Sequence, residues 1–377
     1  MVDLATGIRT LSGLAERLDG PEATLRWSGA ASGTRAMPGA GHAEVLREVV
    51  LLVGAGGGPP AAIGHRIVHG GERFTATTRL DPQTIAALGA ISDLAPLHNP
   101  ANLRGIEAAL AAWPQVPQFG VFDTAFHATM PSRAFRYAVP EAWYREHGIR
   151  RYGFHGISHA YVARRAAALL GRPEAALITA HLGNGCSACA VLGGRSVDTT
   201  MGMTPLEGLA MGTRSGDLDP GLHEHLCARL GIDIRELTRL LNRESGLAGL
   251  SGLGNDLRVI EAAADAGDAR AQVAIEVMTY RLAKAIAALV VALGRLDALV
   301  FTGGIGENSP RTRAAVAAHL GFLGIRLDAE ANATHGRAQG GRIDRGGGPA
   351  LLVIPTDEEL AIAQDAAAAL STESPCA

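Results

Sequence analysis

Arg214 is the single arginine of a twenty-residue stretch, residues 201–220, that also carries four glycines, two prolines and three carboxylates. No helical or strand period fits the stretch, so its composition predicts a structured loop. A guanidinium on such a loop is presented to an anion without being sealed into a wall. Its planar fork matches phosphate oxygens and stays charged at any working pH. The same composition also describes a surface turn with a solvated arginine, and the stretch alone does not separate the two. Arg66 occupies a second glycine-bearing context at residues 63–72, and His98, His155 and His181 occupy three more. A lone histidine is more often structural than catalytic. All three, however, stand at expected strand ends or in rigid loops. Asp123 follows the apolar run 119–122, at the end of a strand where open α/β sheets collect their ligand-binding residues; a helix cap is its other reading. Glu358 reads either as a first-turn acid complementing a helix dipole or as a magnesium ligand.

The elements that must position these residues repeat one theme: an apolar strand, an abrupt glycine- or acid-bearing loop, then a helix. Strands are predicted at 63–72, ending in paired glycines, and at 119–122, 176–180, 296–301 and 350–354, with helices at 41–53, 101–113, 220–230, 271–293 and from Leu360 onward. A further helix follows His159 with Val162, Ala166 and Leu169 inward. Residues 54–60 and 231–258 read as loop and turn-rich patch. Loops at 181–185, 303–307 and 356–359 leave backbone amides free, the usual material of a phosphate cradle. Three of them on separate strands point to a bound nucleotide.

Composition excludes other classes. The chain has 377 residues, 47% hydrophobic, 4% aromatic, with net charge −3. That length suits two domains, and the balance suits a globular enzyme rather than a nucleic-acid partner. The longest apolar run, 285–293, is too short to span a bilayer, and Met1 opens no export signal. Four cysteines are too few for a disulfide scaffold, so the expected location is the reducing cytoplasm, with no membrane partner. Cys186 and Cys189 have C-x-x-C spacing but lie in an expected strand, facing opposite sides, which excludes a redox or zinc pair. His223-Glu224-His225 lacks zinc-protease spacing, residues 215–219 lack the ligands of a calcium loop, and no P-loop is present.

The motifs Arg66-Ile67-Val68-His69-Gly70-Gly71, Leu97-His98-Asn99-Pro100, Phe122-Asp123-Thr124-Ala125-Phe126-His127, Tyr152-Gly153-Phe154-His155-Gly156 and His181-Leu182-Gly183-Asn184-Gly185 resemble the acetate kinase family in order and spacing. The central loop, residues 302–308 and residues 356–360 extend the resemblance, which covers nearly the whole chain from residue 63 onward. It implies an α/β fold of two ribonuclease-H-like, actin-like domains around a nucleotide cleft. Their expected limits are 1–123 with 358–377, and 124–357. The implied reaction is reversible, magnesium-dependent phosphoryl transfer from ATP to acetate, giving acetyl phosphate and ADP, by a homodimer; manganese is an alternative metal. Carried over by position, Asp123, His155 and Arg214 are implied to be catalytic. Arg66 and His98 would hold substrate, with Val68, Leu97, Phe154 and Pro205 around its methyl group. The nucleotide would meet His181, Leu182, Gly183, Asn184 and Gly185, then Asp256, Leu257 and Arg258, then Gly303, Gly304, Ile305, Gly306 and Glu307. Glu358 would be linked to the metal. Propionate or butyrate kinase activity is the alternative within the family, and Val68 favours the smaller acid.

One departure stands out. Family members open with a strand and a loop reading Asn-x-Gly-Ser-Ser-Ser-x-Lys, and nothing like it occurs here. The expectation is a first sheet without its central strand and a Met1 that is not the natural start. A catalytically impaired nucleotide-binding protein is the corresponding alternative.

Overall fold

The computed structural model describes residues 1–373 apart from 30, 56, 57 and 97, so Leu97, Cys376 and part of the expected 54–60 loop lie outside the described residues. The chain divides into two compact units, Met1–Ala125 with the C-terminal helix Glu358–Glu373, and Phe126–Asp357.

In the first unit, strands β1 (Val2–Asp3) and β2 (Ile8–Arg9) pair with each other. Strands β3 (Leu11–Glu16), β4 (Thr24–Gly29) and β5 (Gly33–Ala36) form an antiparallel sheet. Helix α1 (His42–Ala55) covers it, burying Val45 against Leu25 with Val49 and Leu52 alongside. A separate sheet has the order β6-β8-β7, from β6 (Ile63–Ile67), β7 (Thr78–Arg79) and β8 (Gln118–Phe122). Every residue of β8 is buried, as an apolar run parallel to its neighbour requires. Helices α2 (Pro82–Ala90) and α3 (Asn99–Ala112) close one core over Ile67, Phe74, Leu88, Ile106 and Phe122. The helix Glu358–Glu373 packs on β6 and β8. Gly64 permits that approach, since a Cβ there would lie 2.5 Å from Ile362 Cγ2.

The second unit begins with short helices α4 (Ser132–Phe135) and α5 (Glu141–His147), then α6 (Gly156–Leu170). Its sheet combines β9 (Ala176–Leu182), β10 (Cys186–Leu192), β11 (Arg195–Thr199), β12 (Ala298–Thr302) and β13 (Ala350–Val353). The order is β11-β10-β9-β12-β13, with antiparallel hairpins first and parallel strands after β9. This is the ribonuclease-H-like arrangement. Val162, Ala163 and Ala166 of α6 pack on Leu177, Val300 and Leu352. Leu169 points away from that core at 53% exposure, because the α6 stripe runs on from Ala166 to Leu170, one turn later, and not to Leu169.

The stretch 231–258 is largely helical rather than turn-rich. It holds α8 (Ile234–Arg243) and α9 (Gly246–Ser251), after α7 (Gly221–Leu230). Asp233 caps α8 by accepting from the Glu236 amide, and Leu237 and Leu241 face inward, a capping pattern that is local and readable. Helix α10 (Leu257–Asp265) and the 25-residue α11 (Ala269–Leu293) build a satellite core with α9. Residues 303–308 are helical too, as α12 (Gly303–Asn308), followed by α13 (Pro310–His319) and α14 (Ala329–Ala333). No described helix is long and apolar enough to cross a membrane.

Candidate active site

In the first unit the parallel register of β6 and β8 decides the geometry. Arg66 lies beside Val121, and Asp123 leaves the end of β8 with its amide on the Ile67 carbonyl. The Arg66 fork closes on the Asp123 carboxylate, with Nε to Oδ1 at 3.2 Å and Nη2 to Oδ2 at 2.6 Å. Asp123 is buried while the Arg66 side chain is 46% exposed, so the guanidinium has one edge on the carboxylate and one on solvent. Glu358, in the first turn of the C-terminal helix, brings Oε2 to 3.7 Å from Arg66 Nε. Two carboxylates therefore share one guanidinium. Burial pushes the Asp123 carboxyl above its ordinary range, against the pull of Arg66 and His98. Burial, then repulsion from Asp123, does the same to Glu358. The adjoining turn is stapled by Asn99, whose Oδ1 accepts from the His69 amide and whose Nδ2 donates to the His69 carbonyl. Val68 is half-buried beside it.

In the second unit, His155, the left-handed residue that precedes α6 (φ +57°), lies beside Ser158 and His159 of the first turn of that helix. Across the β9–β10 hairpin, Ser187 stands opposite His181. A continuous chain of hydrogen bonds results. His155 Nδ1 meets Ser187 Oγ at 2.8 Å, Ser187 Oγ meets His159 Nε2 at 2.8 Å, and His159 Nδ1 meets Thr179 Oγ1 at 2.7 Å. Parallel to it, His181 Nδ1 meets Ser158 Oγ, which reaches Thr356 Oγ1. The His155 and His181 rings stack at 4.3 Å between centroids. Buried Ser187, Ser158 and His159 were invisible as site residues in the sequence, although the His155–Ser158–His159 spacing is a local signal.

Arg214 comes to this spot from the central loop, which has neither helix nor strand over residues 201–219 but is packed, with Met201 and Met211 fully buried. A Cβ on Gly185 would lie 3.3 Å from Arg214 Nη1 and 3.4 Å from His155 Nε2, so guanidinium and imidazole flank the same glycine. Arg214 donates to the Pro205 carbonyl and has no ion pair among the described residues. Burial lowers its pKa, the mark of a cation held partly out of water. The loop is pinned by α8 and α9, with the Ser215 amide on Leu241 O and the Leu247 amide on Met211 O. Gly246 allows this, with φ +59° and a would-be Cβ only 2.1 Å from Met211 O and 2.6 Å from Arg214 O. Gly246→Ala is expected to lower stability by more than about 2 kcal/mol and to abolish turnover. Gly171→Ala has a similar φ of +63° with nothing within 4 Å. It is expected to cost about 1 kcal/mol. Thermal melts of the two variants check the contrast.

A family model for the acetokinase family matches residues 1–364. The chain belongs to the acetokinase family. It is 54% identical to the acetate kinase of Deinococcus deserti, over 99% of this chain and 95% of the relative. Among solved structures it resembles a propionate kinase from Francisella tularensis with a TM-score of 0.93 and 39% identity, over 97% of this chain and 95% of that one. It resembles Porphyromonas gingivalis acetate kinase with a TM-score of 0.90 and 39% identity, over 98% and 95%.

In this acetokinase the three expected nucleotide segments are neighbours. Thr302 pairs with His181, which sets Gly303 against Leu182. His181 and Leu182 are the last residues of β9, and the turn proper is 183–185. Asn184 Oδ1 accepts from Asn255, and Leu257 and Ile305 share one apolar cluster. Two carboxylates there are committed to backbone work. Asp256 caps α10 and pairs with Arg258, while Glu307 Oε1 accepts from the amides of Gly303 and Thr356. Of the expected methyl pocket, Val68 belongs to the first unit and Phe154 and Pro205 to the second. Cys186 and Cys189 are buried in β10, with thiols pushed up to about 12, so neither is reactive.

Proposed function

We propose that this chain is an acetate kinase, transferring the γ-phosphoryl group of ATP to acetate to give acetyl phosphate and ADP, reversibly. The observation that supports it most is the pairing of Arg214 with His155 beside Gly185, a cation and a ring donor converging on one backbone turn. An acetate oxygen forms the new bond to the γ-phosphorus while the bond to the β,γ-bridging oxygen breaks, and ADP leaves with that electron pair. Acetate is already ionised at neutral pH, since carboxylic acids titrate near ~4, so no base need remove a proton. In-line alignment and positive charge around three equatorial oxygens are what remain. Arg214 and His155 would supply that charge, the Ser187–His159–Thr179 chain would fix the imidazole's orientation, and Arg66 would hold the acetate carboxylate with His98. Asp123 would orient Arg66 rather than act as a base. We assign the nucleotide to the unit Phe126–Asp357, on residues 181–185, 256–258 and 303–307.

A divalent cation fits the first unit's carboxylates. Asp123 and Glu358 leave a net negative charge around Arg66, and magnesium favours one or two carboxylates with water and phosphate oxygens. Glu358, with Asp123 through water, would hold Mg2+ or Mn2+. When bound, the ion would neutralise charge on the phosphates. A homodimer in the cytoplasm completes the proposal.

Purified protein with ATP, magnesium and acetate is expected to form acetyl phosphate, trapped as the hydroxamate. The match to a propionate kinase makes the longer acid the second reading. One methylene is discriminated by only about 10–200-fold, so kcat/KM for acetate, propionate and butyrate decides between them. Bound ATP without turnover on any acid would overturn the kinase reading in favour of an impaired nucleotide-binding member.

A further inference from the structure

We propose that Arg313 is a positioning residue for ATP, its guanidinium holding the turn 303–307 in the shape that receives the nucleotide. The proposal rests on reading that turn as part of the nucleotide site. Arg313 belongs to α13 and is fully buried. A buried guanidinium is costly unless each donor is met. Here all five N–H groups are met. Nε donates to Asn332 Oδ1 at 2.7 Å. Nη1 donates to the carbonyls of Gly306 at 2.8 Å and Glu307 at 3.0 Å. Nη2 donates to the Asn332 carbonyl at 2.9 Å and to His335 Nδ1 at 3.1 Å.

None of these five acceptors is a carboxylate. Burial draws the guanidinium down only to about 10, so it keeps its charge at neutral pH. For stability alone, an apolar side chain of the same volume serves as well or better. What the guanidinium adds is direction. Helix α12 has only six residues, too few to hold its own geometry, and two of its last carbonyls end on Arg313. Fixing a carbonyl fixes its whole peptide plane, so Arg313 orients the peptides that follow Gly306 and Glu307. The far side of the frame is built for the task. Asn332 Nδ2 is tied to the Pro310 carbonyl, and His335 has a left-handed backbone, φ +57°, that a histidine seldom adopts. Because Nδ1 of His335 accepts, its proton sits on Nε2.

Arg313→Lys keeps the charge and loses the fork. It is expected to raise the KM for ATP about tenfold, with kcat and the KM for acetate within about twofold. His335→Ala is expected to raise the ATP KM severalfold, and His335→Asn, which restores an acceptor and tolerates the left-handed backbone, to recover most of that loss. The His335 pair decides the matter if Arg313→Lys does not fold. Gly304→Ala separates the two readings, since a Cβ there meets nothing within 4 Å in the protein. A raised ATP KM in Gly304→Ala with no change in Arg313→Lys would overturn the positioning role alone. An unchanged ATP KM in Gly304→Ala would overturn the assignment of the turn to nucleotide, and the proposal with it. Equal rises in both KM values across the Arg313 and His335 variants would mark a merely structural residue.

Discussion

Arg214→Ala is expected to lower the turnover of acetyl phosphate formation by about 10²–10³-fold while the ATP KM stays within a few-fold. The guanidinium makes one backbone hydrogen bond, to Pro205 O, and no described ion pair, so its removal takes little from the fold. What it takes is a charge held partly out of water beside His155, where electrostatic stabilisation of developing charge is strongest. Arg214→Lys is expected to recover only part of the rate, because an ammonium is a point charge and cannot span two phosphoryl oxygens. Steady-state kinetics with both substrates varied is the check. An unchanged turnover number, in a variant that melts normally, would remove Arg214 from the chemistry.

The second large effect concerns acid. His127 is fully buried, with Nδ1 on Ser196 Oγ and Nε2 donating to the Phe154 carbonyl. Burial pulls it down to about 4 from an ordinary value of 6.5, and His159 beside it is pulled well below that value for the same reason. Between those values the unfolded chain binds a proton that the folded chain refuses. Stability from His127 is therefore complete above about pH 6.5 and is lost as the pH falls toward 4. From about pH 7.5 to about pH 4.5 the loss is about 2–3 kcal/mol from His127. His127→Gln keeps a donor for Phe154 O and cannot titrate, so its melting temperature is expected to depend less steeply on pH. Equal slopes in both proteins would rule the effect out. Because Phe154 precedes His155, the acid transition is expected to disturb the candidate site before the rest of the unit.

How much of this was legible in the chain varies by element. The buried strand β8, the amphipathic α1 and the packed loop that carries Arg214 follow from runs, periods and glycine content that neighbouring residues set. The motifs singled out Arg66, Asp123, His155 and Arg214 one at a time. Their sequence neighbours say nothing of Arg66 closing its fork on a carboxylate 57 positions away, or of Arg214 and His155 meeting at Gly185. Even the stretch 303–307, read as loop, is a short helix whose polar atoms are met from outside by Arg313 and the Thr356 amide.

Local propensity and hydrophobic period are properties of adjacent residues, so the amino-acid order alone settles the buried apolar strands, the longer helices and the types of side chain offered at their ends. Partnership is different. Ser187 meets both His155 and His159 only because the β9–β10 register and the packing of α6 bring them within hydrogen-bond reach. Arg313 tolerates full burial only because Asn332, His335 and the end of α12 converge on it. Burial without a partner is too costly to persist, so it was the packed tertiary structure that decided which polar residues were neutral, which stayed charged and which were held in place to act.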